Sequence, residues 1–282
     1  MSPKVAIITG GASGMGLAVA KALSARNEWA LHILDLNASA GESAVSSLNN
    51  ATFHQTNVAD YASLSASFKA AFQSQRRIDF VFANAGIAEK SSFYAEQQTE
   101  GDEPPPPPKE GMLIVDICLT GVITTTWLAQ HYFRLSPSGG DRNLVMTASC
   151  GGLYPSYYSC TYSAAKHGVV GMMRSIAPQF WRALGVRVNA ICPGTVKTNL
   201  LSTAEWGNFP EEYFTPVEKI VEVVMMIVDG KDESENGKEV EVMMGKAVEI
   251  SGRNHYYREQ PEYCDEGMRA VMASTDIAEL KH

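Results

Sequence analysis

The sequence predicts an α/β fold: one doubly wound parallel sheet with helices on both faces. Three observations carry this. Short apolar, β-branched runs alternate with longer runs of helical period, the order that lays parallel strands beneath crossover helices. The first apolar run passes through a glycine-rich turn straight into a helix. The chain's 282 residues, 45% of them hydrophobic, suit one undivided α/β domain with a sizeable core. Residues 1–282 are therefore read as a single domain.

Residues 4–9 (KVAIIT) read as a fully buried strand. They run into Gly10, Gly11, Ala12, Ser13, Gly14, Met15 and Gly16, and then into a helix over 17–25. Glycines there let the backbone turn tightly and approach a pyrophosphate, whose charge the helix N-terminus favours. This is a Rossmann-type dinucleotide unit. A second buried strand over 30–34 ends in Asp35, about 20 residues beyond the turn, where a carboxylate reaches adenosine ribose hydroxyls. The alternative for Asp35 is a turn or helix-capping acid. A carboxylate repels a 2′-phosphate, and no Arg or Lys lies in Gly10–Gly16 or at Leu36 and Asn37, so NAD is expected over NADP. Further strands are expected over 52–55, 80–83, 143–147, 186–191 and 247–250, and helices over 62–75, 111–131, 159–184 and 216–228.

Tyr162 and Lys166 stand four apart in the helix over 159–184 and so project from one face. An ammonium beside a phenol favours the phenolate, which predicts a Tyr162 pKa below the ordinary value of about 10 and an acid/base group near neutral pH. Ser149, at the end of the strand over 143–147, is placed to hold the substrate oxygen. Taken alone, the Tyr–Lys spacing is equally compatible with an ordinary amphipathic helix. Tyr154, Tyr157 and Tyr158 lack a lysine four residues on and are read as pocket-lining. His167 points off the Tyr162/Lys166 face.

With these residues in place, the chain resembles a short-chain dehydrogenase/reductase over residues 4 to about 250, and most nearly the 15-hydroxyprostaglandin dehydrogenase-like and fungal alcohol dehydrogenase members. The family's TGxxxGxG pattern stands as Thr9 to Gly16, its NAG as Asn84-Ala85-Gly86, its serine as Ser149, its YxxxK as Tyr162 and Lys166, and its PG as Pro193-Gly194. The resemblance implies a catalytic set of Ser149, Tyr162 and Lys166. It implies cofactor contacts from Gly10, Ser13, Gly14, Met15, Gly16, Asp35, Leu36, Asn57, Val58, Asn84, Ala85, Gly86, Tyr162, Lys166, Pro193, Gly194, Thr195, Val196 and Thr198. It also implies a homodimer or homotetramer built on the helices over 111–131 and 159–184. Two positions depart from the family. Cys118 replaces the Asn that helps hold a water linking the catalytic Lys to solvent, a task for which a thiol is a weak donor and acceptor. Asn57 stands where the family often has Asp.

Two stretches fall outside the alternation. Residues 89–110 carry Pro104 to Pro108, a solvated polyproline II insertion placed to border the cofactor mouth, with an SH3-type ligand as the alternative. Residues 199–216 carry Leu200, Leu201, Trp206, Phe209, Tyr213 and Phe214. In the family this region is the substrate lid, and an apolar, aromatic lid implies a hydrophobic secondary alcohol or ketone. Packing of a subunit contact or the core is the alternative. The tail over 253–282 is polar, with Tyr256, Tyr257 and Tyr263, and is read as covering either the active site or a dimer partner.

The net charge of −8 disfavours nucleic acid and anionic membranes as partners. No signal peptide or membrane-length apolar run is read, and the cytosol is the expected compartment. Five cysteines without a C-x-x-C pair disfavour a disulfide scaffold or zinc site, and no metal is expected. Cys150 and Cys160 flank the site and are read as buried small hydrophobes, the alternative being thiols that make the enzyme sensitive to thiol reagents. The function expected is NAD-dependent interconversion of a hydrophobic secondary alcohol and its ketone. The alternatives are an NADPH-dependent biosynthetic ketone reductase, a non-catalytic NAD(H)-binding protein, and a cofactor-bound enzyme of another reaction class such as an epimerase or dehydratase.

Overall fold

The structure is a computed structural model and describes residues 2–90, 92–207, 209–234 and 242–277. Residue 91 of the proline-rich insertion, residue 208 of the lid and residues 278–282 of the tail lie outside the described residues.

The N-terminal half comprises β1 (Lys4–Thr9), α1 (Gly14–Ala25), β2 (Trp29–Asp35), α2 (Ala38–Ser46), β3 (Ala51–Gln55), α3 (Tyr61–Gln75), β4 (Phe80–Ala83), α4 (Lys109–Val115) and α5 (Gly121–Leu135). Then follow β5 (Arg142–Thr147), α6 (Cys160–Leu184), β6 (Val186–Pro193), α7 (Thr203–Trp206), α8 (Val217–Asp229), β7 (Ala247–Ser251), β8 (Asn254–Tyr257) and α9 (Glu266–Ala273). The strands form one sheet in the order β3-β2-β1-β4-β5-β6-β7-β8. Neighbours are parallel except β7 and β8, which pair antiparallel.

The central strands are buried on both faces, which is why β1 and β4 read as continuous apolar runs. Val5 and Ile7 of β1 join the core beneath α3, α5 and α6, through Phe68, Phe133 and Met173. Ala6 and Ile8 join the opposite core beneath α1 and α8, through Leu23 and Val224. Strand order reverses between β1 and β4, which opens a crevice at the carboxyl ends where ligands bind in such sheets.

Four differences from the sequence expectation have local causes. The single helix expected over 111–131 is a helical stretch from Lys109 to Leu135 broken by a π-helical turn, Asp116–Thr120. By length and composition this 27-residue stretch could cross a membrane, which corrects the reading that no such run exists; in the fold its inner face packs on β4, β5 and α6 as a core helix. Helix α2 was not expected, because ASAGESAVS has weak periodicity; the Asn37 side chain caps it by accepting from Ala40 N at 3.0 Å. The tail is not without elements. Strand β8 extends the sheet, and helix α9, capped by Asp265, is followed by Asp276, which ion-pairs with Arg182 of α6 at 2.6 Å.

Candidate active site

The glycine turn needs glycine for two separate reasons. Gly10 has φ +63°, and a Cβ there would lie 2.9 Å from Ala85 Cα. A Cβ on Gly16 would lie 2.2 Å from the Gly10 carbonyl oxygen, so the start of α1 can pack against the turn only without a side chain. Thr9 Oγ accepts from the backbone N–H groups of Asn84 and Ala85, at 3.0 and 3.1 Å. Asn84 Nδ2 donates to the carbonyls of Thr9 and Gly10, and Asn84 Oδ1 accepts from Thr147 Oγ at 3.1 Å. Thr9, Asn84 and Thr147 thus tie the ends of β1, β4 and β5 into one rigid floor.

Asp35 serves the turn directly. Its Oδ2 accepts from Ala12 N at 3.1 Å and its Oδ1 from Asn37 N at 3.0 Å. Asp35 therefore organises backbone, as the turn-acid alternative expects, and it also lines the cleft. Each carboxylate oxygen keeps a free lone pair.

A cleft of about 630 Å³ runs along the carboxyl edge. It is lined by Gly10, Ser13, Gly14, Met15, Asp35, Leu36, Asn57, Val58, Asn84, Ala85, Gly86, Tyr162, Lys166 and Thr198. Thr56, Ile87 and Ile114 add to its wall and were not anticipated, while Lys90 comes from the proline-rich insertion and Asn199 and Leu200 from the segment over 199–216. Gly16 supports the wall from behind, and Pro193, Gly194 and Thr195 lie outside it. Val196 also lies outside, because its side chain packs into the core beneath α1 and α8. A cleft of about 730 Å³ at the opposite end of the strands, by Lys4, Trp29 and Asn143, gathers none of the expected residues.

Ser149, Tyr162 and Lys166 meet at this edge. Ser149 Oγ accepts from Gly151 N at 3.1 Å, which fixes the serine, and its hydroxyl acts on the Tyr162 phenol in the sense that favours the phenolate. Lys166 is buried, and its Nζ donates to the Thr147 carbonyl at 2.7 Å and sits 5.6 Å from the Tyr162 ring centre. The expected depression of the Tyr162 pKa is overturned. Burial pushes the phenol well above its ordinary value, and the Ser149 hydroxyl only partly opposes this. Lys166 does not reverse it, because burial lowers the pKa of the lysine itself and its ammonium is engaged by the Thr147 carbonyl.

Cys118 lies within the π-turn and is fully buried. Its Sγ accepts from Ile87 N at 3.4 Å and its thiol points at Ile87 O, 3.5 Å away. The thiol therefore pins the loop after Asn84-Ala85-Gly86 to the helix. Asn57 is used locally, its Oδ1 accepting from Ala59 N at 3.0 Å. All five cysteines are free; Cys150 and Cys160 are half-buried, which corrects their reading as buried hydrophobes, and the buried Cys192 thiol is pushed up to about 12 by burial.

The segment over 199–216 carries α7, started by a capping box in which Glu205 N–H donates to Ser202 Oγ and the Glu205 carboxylate accepts from Ser202 N at 2.8 Å. Trp206 is buried; its Nε1 donates to the Thr198 carbonyl at 2.9 Å, and its ring meets Phe209 and Phe214. Phe209 in turn meets Tyr158 with ring centres 6.5 Å apart, joining this segment to the catalytic loop. Tyr154 is not free to line a pocket: its hydroxyl donates to Glu249 Oε2 at 3.1 Å, and Arg258 pairs with the same carboxylate oxygen.

A family model described as short chain dehydrogenase matches residues 4–207, which span the glycine turn, Ser149, Tyr162 and Lys166. The chain belongs to the short-chain dehydrogenase/reductase family. It is 50% identical over 273 residues to the short-chain dehydrogenase/reductase prx7 of Penicillium rubens, covering 93% of this chain and 96% of that one. It is 31% identical over 210 residues to human 15-hydroxyprostaglandin dehydrogenase (NAD(+)), covering 72% and 71%. A 3-ketoacyl-(acyl-carrier-protein) reductase from Brucella melitensis, crystallised with NADH, shares the fold at a TM-score of 0.70 and 24% identity, over 89% of this chain and 98% of that one. The chain is accordingly an oxidoreductase acting on a CH–OH group with a nicotinamide cofactor.

Proposed function

We propose that this short-chain dehydrogenase/reductase uses NAD to interconvert a hydrophobic secondary alcohol and its ketone. One observation carries the reading: the Ser149, Tyr162 and Lys166 set meets a glycine-lined cleft whose far wall is the Asp35 carboxylate. The fit to a dinucleotide rests on the tight glycine turn, which puts Gly10 and Gly14 on the cleft wall at the N-terminus of α1. The preference for NAD rests on Asp35, and the human relative's NAD(+) designation supports it. The apolar substrate is supported by the Trp206, Phe209, Phe214 and Tyr158 rings at the lid.

The dinucleotide, when bound, supplies the hydride acceptor or donor. The chain's own residues handle the proton. Tyr162 exchanges a proton with the substrate oxygen, and the Ser149 hydroxyl hydrogen-bonds that oxygen as its charge develops. Lys166, fixed by the Thr147 carbonyl, provides the cation beside the phenol. Because burial holds Tyr162 protonated, it is set to donate to a ketone oxygen at neutral pH. Alcohol oxidation must first remove that proton, so oxidation accelerates as pH rises and reduction slows.

We place a homo-oligomer contact on the outer face of α5, where Ile123 and Trp127 are exposed one turn apart. The experiment that tests the function offers the protein NAD or NADP with 2-octanol, 1-phenylethanol and cyclohexanol, and the matching ketones with NADH or NADPH, following the reduced cofactor's absorbance. Turnover with NAD(H) and an apolar alcohol or ketone supports the reading; turnover confined to NADP(H) moves it to the biosynthetic reductase.

A further inference from the structure

The N-terminus of α6 is capped by a residue far away in sequence. The first intrahelical bond in this helix is Ser163 N to Ser159 O, at 2.9 Å, so the N–H groups of residues 160, 161 and 162 have no partner within the helix. The N-cap, Ser159, makes no side-chain cap bond. Tyr162 N–H instead donates to Glu89 Oε2 at 2.8 Å, across 73 positions of sequence. Helices α2, α3 and α9, by contrast, are capped by the residue just before them. Glu89 stands three residues after Gly86, in the loop that lines the dinucleotide cleft and that Cys118 pins at Ile87.

We propose that Glu89 is a positioning residue for the reaction: its carboxylate holds the first turn of α6, and with it the Tyr162 phenol, in register with Lys166 and the Asn84–Gly86 loop. The two halves of the Tyr–Lys pair are anchored separately. Lys166 lies one turn further in, buried and bonded to the Thr147 carbonyl, so it keeps its place without Glu89. Tyr162 sits at the third helical position, where the backbone is held only if an acceptor meets its N–H. A carboxylate is the strongest acceptor for that task, since the bond is charge-assisted and faces the positive end of a helix of 25 residues. Loss of Glu89 therefore frees the phenol selectively and leaves cofactor contacts in place.

This inference rests on the role proposed for Tyr162, and its test separates the two. Protein labelled at the tyrosine ring carbon bearing oxygen is titrated by NMR, with the Tyr162 signal assigned from its loss in Tyr162→Phe. Backbone hydrogen exchange is measured over 159–175, NADH affinity by fluorescence, and turnover with the best alcohol from the panel above. In Glu89→Ala the amides of 160–163 exchange faster while those beyond Lys166 do not, and Tyr162 titrates at lower pH as it leaves its buried site. Turnover falls roughly 10- to 100-fold in kcat, the range for an ångström-scale misplacement, with NADH affinity unchanged. Glu89→Gln, which keeps an acceptor of about half the strength, restores most of each signal. Glu89→Asp, one methylene shorter, behaves like Glu89→Ala and serves if the alanine variant does not fold. Unchanged exchange and titration in Glu89→Ala overturn the proposal. So does a uniform loss of α6 protection and NADH binding that glutamine does not rescue, and so does normal kcat in a frayed variant. If the unmodified protein turns over no alcohol or ketone, the proposed function fails, while exchange and titration still decide whether Glu89 anchors Tyr162.

Discussion

Asp35 offers a quantitative test, because its charge and its hydrogen bonds can be removed separately. Asp35→Ala deletes the acceptor of the buried Ala12 N–H and of the exposed Asn37 N–H. Water replaces the second, but the first is left unpaired, which costs about 1–3 kcal/mol. For a chain of this length that lowers Tm by about 2–5 °C. Asp35→Asn keeps an oxygen acceptor while removing the charge, so its Tm falls less. The charge sets cofactor choice. A carboxylate about 5 Å from a phosphate bearing 1.5 to 2 charges, in a water-like dielectric, is worth about 1.2–1.7 kcal/mol, or roughly tenfold in relative affinity. Titrating tryptophan fluorescence with NADH and NADPH at fixed low salt reads this out. The unmodified protein prefers NADH, and Asp35→Asn narrows the preference about tenfold with little change in Tm. A native preference for NADPH, or a ratio that Asp35→Asn leaves unmoved, refutes the argument.

Three further outcomes are expected. Gly16→Ala forces a Cβ to within 2.2 Å of the Gly10 carbonyl and 2.8 Å of Asn84 Nδ2, so the turn must open. NADH affinity falls more than about tenfold and Tm by several degrees, since overpacking costs about 1–3 kcal/mol or more; native-like NADH titration would contradict this. His32 is held down to about 4 from 6.5, first by burial and then by His54, whose Nε2 lies 2.9 Å from His32 Nδ1. Its neutral form is thus favoured by folding. The stabilisation is present above pH 6.5 and lost as pH falls towards 4, of order 3 kcal/mol in all. Thermal melts between pH 7 and 4.5 show the loss, and His32→Gln reduces it; an equal acid slope in the variant would reject the assignment. Trp127→Glu, on the exposed face of α5, dissociates the oligomer in sedimentation; a particle of unchanged size sinks the proposed contact.

Much of the fold is legible in the sequence because both sheet faces are buried. The runs at 4–9 and 80–83 have no polar face to confuse their period, and the glycine punctuation after the first is fixed by backbone contacts within one turn. The elements that escape notice are held by partners rather than by period. Strand β8 (NHYY) exists because β7 offers it an edge, and α9 buries none of its residues. The candidate site is legible where a motif is local, as from Thr9 to Gly16 and from Tyr162 to Lys166. It is opaque where the partner is remote: the Glu89 cap, the Tyr154–Glu249–Arg258 cluster and the π-turn at Cys118 have no pattern of short spacing. The Tyr162 pKa was misjudged for the same reason, since spacing places the ammonium near the phenol but says nothing of burial or of the Thr147 carbonyl that engages the lysine.

The central claim is that Tyr162 handles the proton in a hydride-transfer site. Its most direct test is Tyr162→Phe, measured for turnover with NAD(H) and the best panel substrate and, in parallel, for NADH affinity. The account predicts a loss of about 10²- to 10⁴-fold in kcat, with NADH affinity unchanged. Turnover near that of the unmodified protein would contradict it.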